Sequence, residues 1–166
     1  MTDPRAPKVI VQTDLPHAQM RSNSLEVAGD LMAVADGRLV SGDESLLARE
    51  ATGIVVAAMT MPNVLDRLFE GAVVITPGDR PEVVLGVLMA HVSANFPQVS
   101  GVLVNGGFDL PPQVTRLLEG TGATLPIVAT HLGTHEASAR LTSVRGRLTA
   151  DSPRKVAIAL QLFGEN

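Results

Sequence analysis

Four β-branched runs punctuate the middle of this chain, and helical patterning fills the gaps between them. The runs are Thr52 to Ala58, Ala72 to Ile75, Gly101 to Val104 and Ile127 to Ala129. A run apolar at every position belongs to a strand buried on both faces. Such strands are joined in parallel through helices that cover the sheet. The crossovers between the runs have the length a helix needs, roughly 10–15 residues. The pattern therefore predicts an α/β fold with a mainly parallel sheet covered by helices.

Ser22, Asn23 or Ser24 can cap a first helix running to about Ala35, with Leu25, Ala28, Leu31, Met32 and Ala35 at helical spacing. Gly37 fits the left-handed stop behind it. A short strand at Arg38 to Val40 and a polar turn at Ser41-Gly42-Asp43-Glu44 follow. Thr60 can cap a helix with Pro62 in its first turn, a stripe of Val64, Leu65, Leu68 and Phe69, and Gly71 at its end. The helix predicted over Pro81 to Asn95 is apolar on nearly every side, which predicts deep burial. Further helices are read at Pro111 to Glu119 and Thr134 to Leu141. A short strand at Arg147 to Thr149 precedes a closing helix, opened by Asp151-Ser152-Pro153 and running to about Phe163. Residues 1–22, with Pro4, Pro7 and Pro16, read as a tail or linker, and 23–166 as one domain.

Composition narrows the function classes. Aromatics are 2% of the 166 residues, with no Trp and no Tyr, so Val, Leu, Ile, Ala and Met must build the core. Nucleic-acid modules that stack bases on aromatic rings do not fit, and a net charge of −4 repels phosphate backbones. Without Cys there is no disulfide framework and no thiolate metal site, which fits a cytoplasmic location. The sequence contains no membrane-length apolar run and no apolar signal region near Met1.

In parallel sheets, sites lie beyond the carboxyl ends of the strands. Here those ends are Thr76 to Arg80, Asn105 to Phe108 and Thr130 to His135. In Gly78-Asp79-Arg80-Pro81-Glu82, Asp79 can cap the next helix, with Glu82 completing a capping box and Arg80 paired to Asp79. Alternatively, Arg80 is a fixed cation for a carboxylate or phosphate ligand. Asn105-Gly106-Gly107 is either a tight strand exit or a backbone cradle for a ligand. His131 and His135 have a metal-compatible spacing, but Leu132-Gly133-Thr134 between them reads as a strand exit, so no metal is expected. His91 reads as a packed residue. No Walker loop, dinucleotide fingerprint or nucleophile elbow occurs, and no nucleophile–base set is recognisable. Neither catalytic residues nor a cofactor are expected.

Three segments, read in order, carry a resemblance. They are Val73-Val74-Ile75-Thr76-Pro77-Gly78-Asp79-Arg80-Pro81-Glu82-Val83, Gly101-Val102-Leu103-Val104-Asn105-Gly106-Gly107 and Leu125-Pro126-Ile127-Val128. Together they resemble the DRTGG domain found in the middle of long-form bacterial phosphotransacetylases. Asp79 and Arg80 match the Asp-Arg of that pattern, and Gly106 and Gly107 its Gly-Gly. Asn105 stands where the pattern has Thr. Thr134 matches a Thr further on, while His135 replaces an aromatic residue and Gly133 an acid.

The resemblance implies a three-layer fold like the amino-terminal domains of HPr kinase. It also implies a place beside a nucleotide-triphosphatase-like domain and an acetyltransferase domain. The function it implies is non-catalytic regulation and homo-oligomer assembly, as a dimer or higher. The alternative is a stand-alone nucleotide or metabolite sensor, binding a small-molecule effector through Asp79, Arg80, Asn105, Gly106, Gly107 and Thr134.

Overall fold

The computed structural model describes residues 25–43, 46, 49–122 and 124–144. The caps expected at Ser22 to Ser24, and the strand and helix expected beyond residue 144, lie outside these residues. In chain order the elements are β1 (Leu25–Glu26), α1 (Val27–Val34), β2 (Arg38–Ser41), β3 (Glu50–Ala51), β4 (Gly53–Val56), α2 (Met61–Leu65), β5 (Ala72–Pro77), α3 (Pro81–Val92), β6 (Gly101–Asn105), α4 (Pro112–Gly120), β7 (Ile127–Ala129) and α5 (Thr134–Val144).

Five strands form one sheet in the order β2-β7-β6-β5-β4. Strands β4 to β7 are parallel, and β2 runs antiparallel against β7. The two-residue strands β1 and β3 pair antiparallel in a separate small ladder. The alternation of a strand sorts each apolar run into two cores. Val74, Val102, Val104 and Ile127 pack with Val64, Val83, Val87, Val114 and Leu118 of α2, α3 and α4. Val73, Ile75, Leu103 and Val128 pack with Leu31 and Ala35 from the α1 side and with Ala137 and Leu141 of α5. The result is three layers, helices over both faces of a mostly parallel sheet, as the β-branched runs require.

Several local expectations are corrected. Leu25 and Glu26 are extended, so the first helix begins at Val27. Its left-handed stop is Asp36, with φ 47°, and Gly37 follows it, closing the helix with an N–H bond to the Met32 carbonyl at 2.9 Å. Gly37 is needed for space instead: a Cβ there would sit 2.5 Å from the Val128 side chain. Helix α2 is five residues long, and the expected stripe splits, with Leu68 buried and Phe69 exposed. Helix α3 stops at Val92, and its Met89 (63% exposed) and Val92 (53%) face outward, so burial is deep on one side only.

Candidate functional site

The carboxyl ends of β4 to β7 form one rim, and a chain of hydrogen bonds runs across it from turn to turn. At one end, Arg80 leaves the β5 exit and donates from Nη1 to the Met59 carbonyl beyond β4, at 2.8 Å. Its Nε pairs with Glu82 at 3.0 Å. The expected Asp79–Glu82 capping box and Asp79–Arg80 pair therefore do not form. The N-cap of α3 is Arg80 itself, with no side-chain cap bond, and Asp79 lies one residue further out and exposed. From that N-cap, Glu82 is the second helical residue, not the third that a capping box requires.

The β5 and β6 exits are joined next. The Gly78 N–H donates to the Asn105 carbonyl at 3.0 Å. The buried Asn105 amide spans three elements in the orientation that satisfies every neighbour. Its NH2 donates to the Thr76 carbonyl at 2.9 Å, and its oxygen accepts from the Thr134 N–H at 2.8 Å and hydroxyl at 2.7 Å. The first N–H of α5 is thus satisfied by a residue of another strand. The β6 and β7 exits close through two backbone bonds, Gly106 N–H to the Leu132 carbonyl at 2.8 Å and Gly107 N–H to the Thr130 carbonyl at 3.0 Å. Thr130 continues the brace by donating its hydroxyl to the Ala35 carbonyl at the end of α1.

The glycines of this rim seat one ring. Gly106 has φ +89°, and a Cβ there would lie 3.0 Å from the Phe108 ring; a Cβ on Gly78 would lie 2.8 Å from Phe108 Cβ. Phe108 is held over them half-exposed. An exposed ring seated on glycines is costlier than one tucked into a core, and so is informative.

A groove of about 390 Å³ opens where the rim meets β2, lined by Asp36, Arg38, Phe108, Asp109, Thr130 and His131 among others. Its position follows from the topology. After β6 the chain turns to the α4 face, and after β7 to the α5 face. The two exits diverge, which is the condition for a ligand crevice in an open α/β sheet. Because β2 is antiparallel, its first residue, Arg38, lands on the same rim and pairs with Asp109 across the groove.

The six residues singled out in the sequence all lie on this rim, and their bonding is mostly internal. Asn105, Gly106, Gly107 and Thr134 meet one another's loops, while Arg80 binds the β4 side, away from the groove. His131 and His135 are both exposed, and Glu136 pairs with Arg140 at 2.6 Å. Among the described residues no three His, Asp or Glu side chains converge as a metal set. His91 is buried near the opposite ends of the strands, as its place in an apolar helix predicts. Burial, reinforced by the Arg49 guanidinium, pushes its imidazole pKa down.

A sequence profile of the DRTGG domain matches residues 30–144. The chain belongs to the DRTGG domain family. This DRTGG chain is 38% identical over 110 residues to a phosphate acetyltransferase of Nitratidesulfovibrio vulgaris, covering 66% of this chain and 16% of that enzyme. It is 36% identical to the phosphate acetyltransferase of Synechocystis over the same shares. The chain therefore spans about a sixth of the length of these relatives and is homologous to a segment of them. In three dimensions it is similar to the CBS and DRTGG domains of the regulatory region of Clostridium perfringens pyrophosphatase, solved with the activator diadenosine tetraphosphate. The TM-score is 0.58 at 17% identity, over 90% of this chain and 66% of that one. No helix among the described residues of the DRTGG chain is long and apolar enough to cross a membrane.

Sequence reasoning missed Asp36, Arg38 and Asp109 as residues of the DRTGG rim. Phe108 was within reach, as the large apolar residue directly after Gly106-Gly107 in an otherwise aliphatic chain.

Proposed function

We propose that this chain is a non-catalytic regulatory and assembly module that works in the cytoplasm beside phosphate acetyltransferase chemistry, the exchange of acetyl between coenzyme A and phosphate. One observation carries this reading. Arg80, Asn105, Gly106, Gly107 and Thr134 of the family motif are bonded between successive loops, and among the described residues no three His, Asp or Glu side chains converge as a metal set. Asp79, Arg80, Asn105, Gly106, Gly107 and Thr134 then set the shape of an effector-facing edge, and the flanking domains of a parent enzyme respond to it. Homology to about a sixth of much longer enzymes supports the same role.

Assembly has a candidate surface in the outer side of α3, where Met89 and Val92 are exposed one turn apart and Phe96 follows beyond the helix end. Apolar side chains grouped in this way are typical of subunit contacts. Light scattering on the eluting chain should give a dimer or larger, and Met89→Asp with Val92→Asp should give a monomer that melts at the same temperature. A strict monomer that binds no metabolite removes the support for the reading.

A second reading, a stand-alone nucleotide or metabolite sensor, is favoured by the groove between Arg38 and Asp109. Calorimetry with AMP, ATP, NADH and coenzyme A tests it, and no heat from any of them counts against it.

A further inference from the structure

The groove and Phe108 admit a narrower statement, which rests on the sensor reading. Among the described residues its charged lining is unbalanced: Asp36 and Asp109 against the one guanidinium of Arg38, with His131 beside them. The carboxyl end of α1 opens at the same place through Asp36, and that end of a helix carries partial negative charge. A polyphosphate would meet this surface with its own sign of charge. Hydroxyl and amino donors would find acceptors on both carboxylates. The flat element of the lining is the Phe108 ring, half-exposed and set against Gly106. At about 390 Å³, the space lies within the range of small-molecule sites.

We propose that the groove between β2, the β6 exit and the β7 exit binds a nucleoside or nucleoside monophosphate. The base lies on the Phe108 ring. The sugar hydroxyls donate to Asp109 and Asp36. Arg38, now held by Asp109, turns its remaining N–H groups to the ligand. The site is distinct from Arg80, which is occupied at the far end of the rim by Met59 and Glu82. This position also uses the features the brace leaves idle: an exposed aromatic ring, an exposed ion pair and a crevice at a switch of helix side.

The test uses the full chain labelled with nitrogen-15, titrated with adenosine, AMP, ATP and inorganic phosphate. Adenosine and AMP should shift the amides of Arg38, Gly107, Phe108 and His131, and ATP should bind more weakly than adenosine. Asp109→Asn and Phe108→Ala should each weaken adenosine by about tenfold or more, the equivalent of one lost hydrogen bond or stacking contact. The Asp109→Asn melting temperature should stay within about a degree, because an exposed pair contributes little. Phosphate displacing adenosine, or ATP binding more tightly than adenosine, overturns the assignment. Adenosine shifting amides elsewhere, with those four unmoved, overturns the site while leaving the sensor reading in place. If adenosine, AMP, ATP, NADH and coenzyme A all fail to bind, both fall together.

Discussion

The two rims of the sheet are held in different ways. At the carboxyl rim, four successive turns are linked by hydrogen bonds through Arg80, Asn105, Gly106 and Gly107. At the amino rim, His91, Val99 and Leu125 lie inside. Its polar ties include the Thr52 N–H to the Gly71 carbonyl at 2.9 Å, the Gly71 N–H to the Gln98 carbonyl at 2.8 Å and the Gln98 N–H to Glu70 at 2.9 Å. Packing is tolerant of exchange among residues of similar volume, whereas a hydrogen bond needs particular atoms at particular places. At the carboxyl rim glycines and a side-chain amide hold the turns together, so residue identity there matters through hydrogen bonds and close approach.

The sharpest way to break this contrast is Asn105→Leu. The variant keeps the number of side-chain heavy atoms but removes the acceptor of the Thr134 N–H and hydroxyl and the donor to the Thr76 carbonyl, and its methyls are bulkier, so we expect a loss of about 2–5 kcal/mol in urea melts. A loss below about 1 kcal/mol would mean the brace contributes little. Next in size is Gly106→Val. It forces a β-branched residue to positive φ and presses on Phe108, and should cost about 2–3 kcal/mol, with the Phe108 side chain displaced in NMR spectra.

Arg80→Ala should cost about 1–2 kcal/mol through the lost bond to Met59. It should leave small-molecule binding intact, because Arg80 is outside the groove. If binding is lost and stability is kept, Arg80 is a ligand residue instead.

The amino rim should show itself through pH. His91 is held neutral by burial, so its folded pKa lies below the unfolded value of about 6.5. Its contribution is fully present above that pH and is lost as pH falls from there through the lowered folded pKa. Melts at pH 7.5 and 5.5 should show a drop in stability that is smaller in His91→Leu. An equal drop in the variant would place the acid sensitivity elsewhere.

Much of this architecture was legible because β-branched runs are local signals. The strands β4 to β7, a mainly parallel sheet and the helices that cover it follow from that pattern, whereas the strand order and the sorting of helices between the two faces do not. The β1–β3 ladder was not legible, since two-residue strands have no period and Leu25 also suits a helical stripe. Asp36 took the left-handed position because helix α1 ended one residue before Gly37 could. Asp79, Arg80, Asn105, Gly106 and Gly107 were singled out by glycine and charge patterns and Thr134 by the family resemblance, but their bonding partners are set by the tertiary fold. Nothing near Arg80 in sequence points to the Met59 carbonyl, and nothing in Arg38-Leu39-Val40 indicates the direction of its strand. Without that direction, Arg38 could not be placed opposite Asp109, and the groove stayed hidden.

The strand order carries a consequence for how the molecule is made. From β4 to β7 each new strand lies beside the one just before it, so those units can dock in turn as they leave the ribosome, each closing a short loop. Strand β2 has no such neighbour in time among the described strands, because its partner in the sheet, β7, is synthesised long after it. The crevice it borders would then be the last feature to mature. Pulse-labelled amide exchange during refolding should protect β5 and β6 before β2, and simultaneous protection of all three would refute that sequence of events.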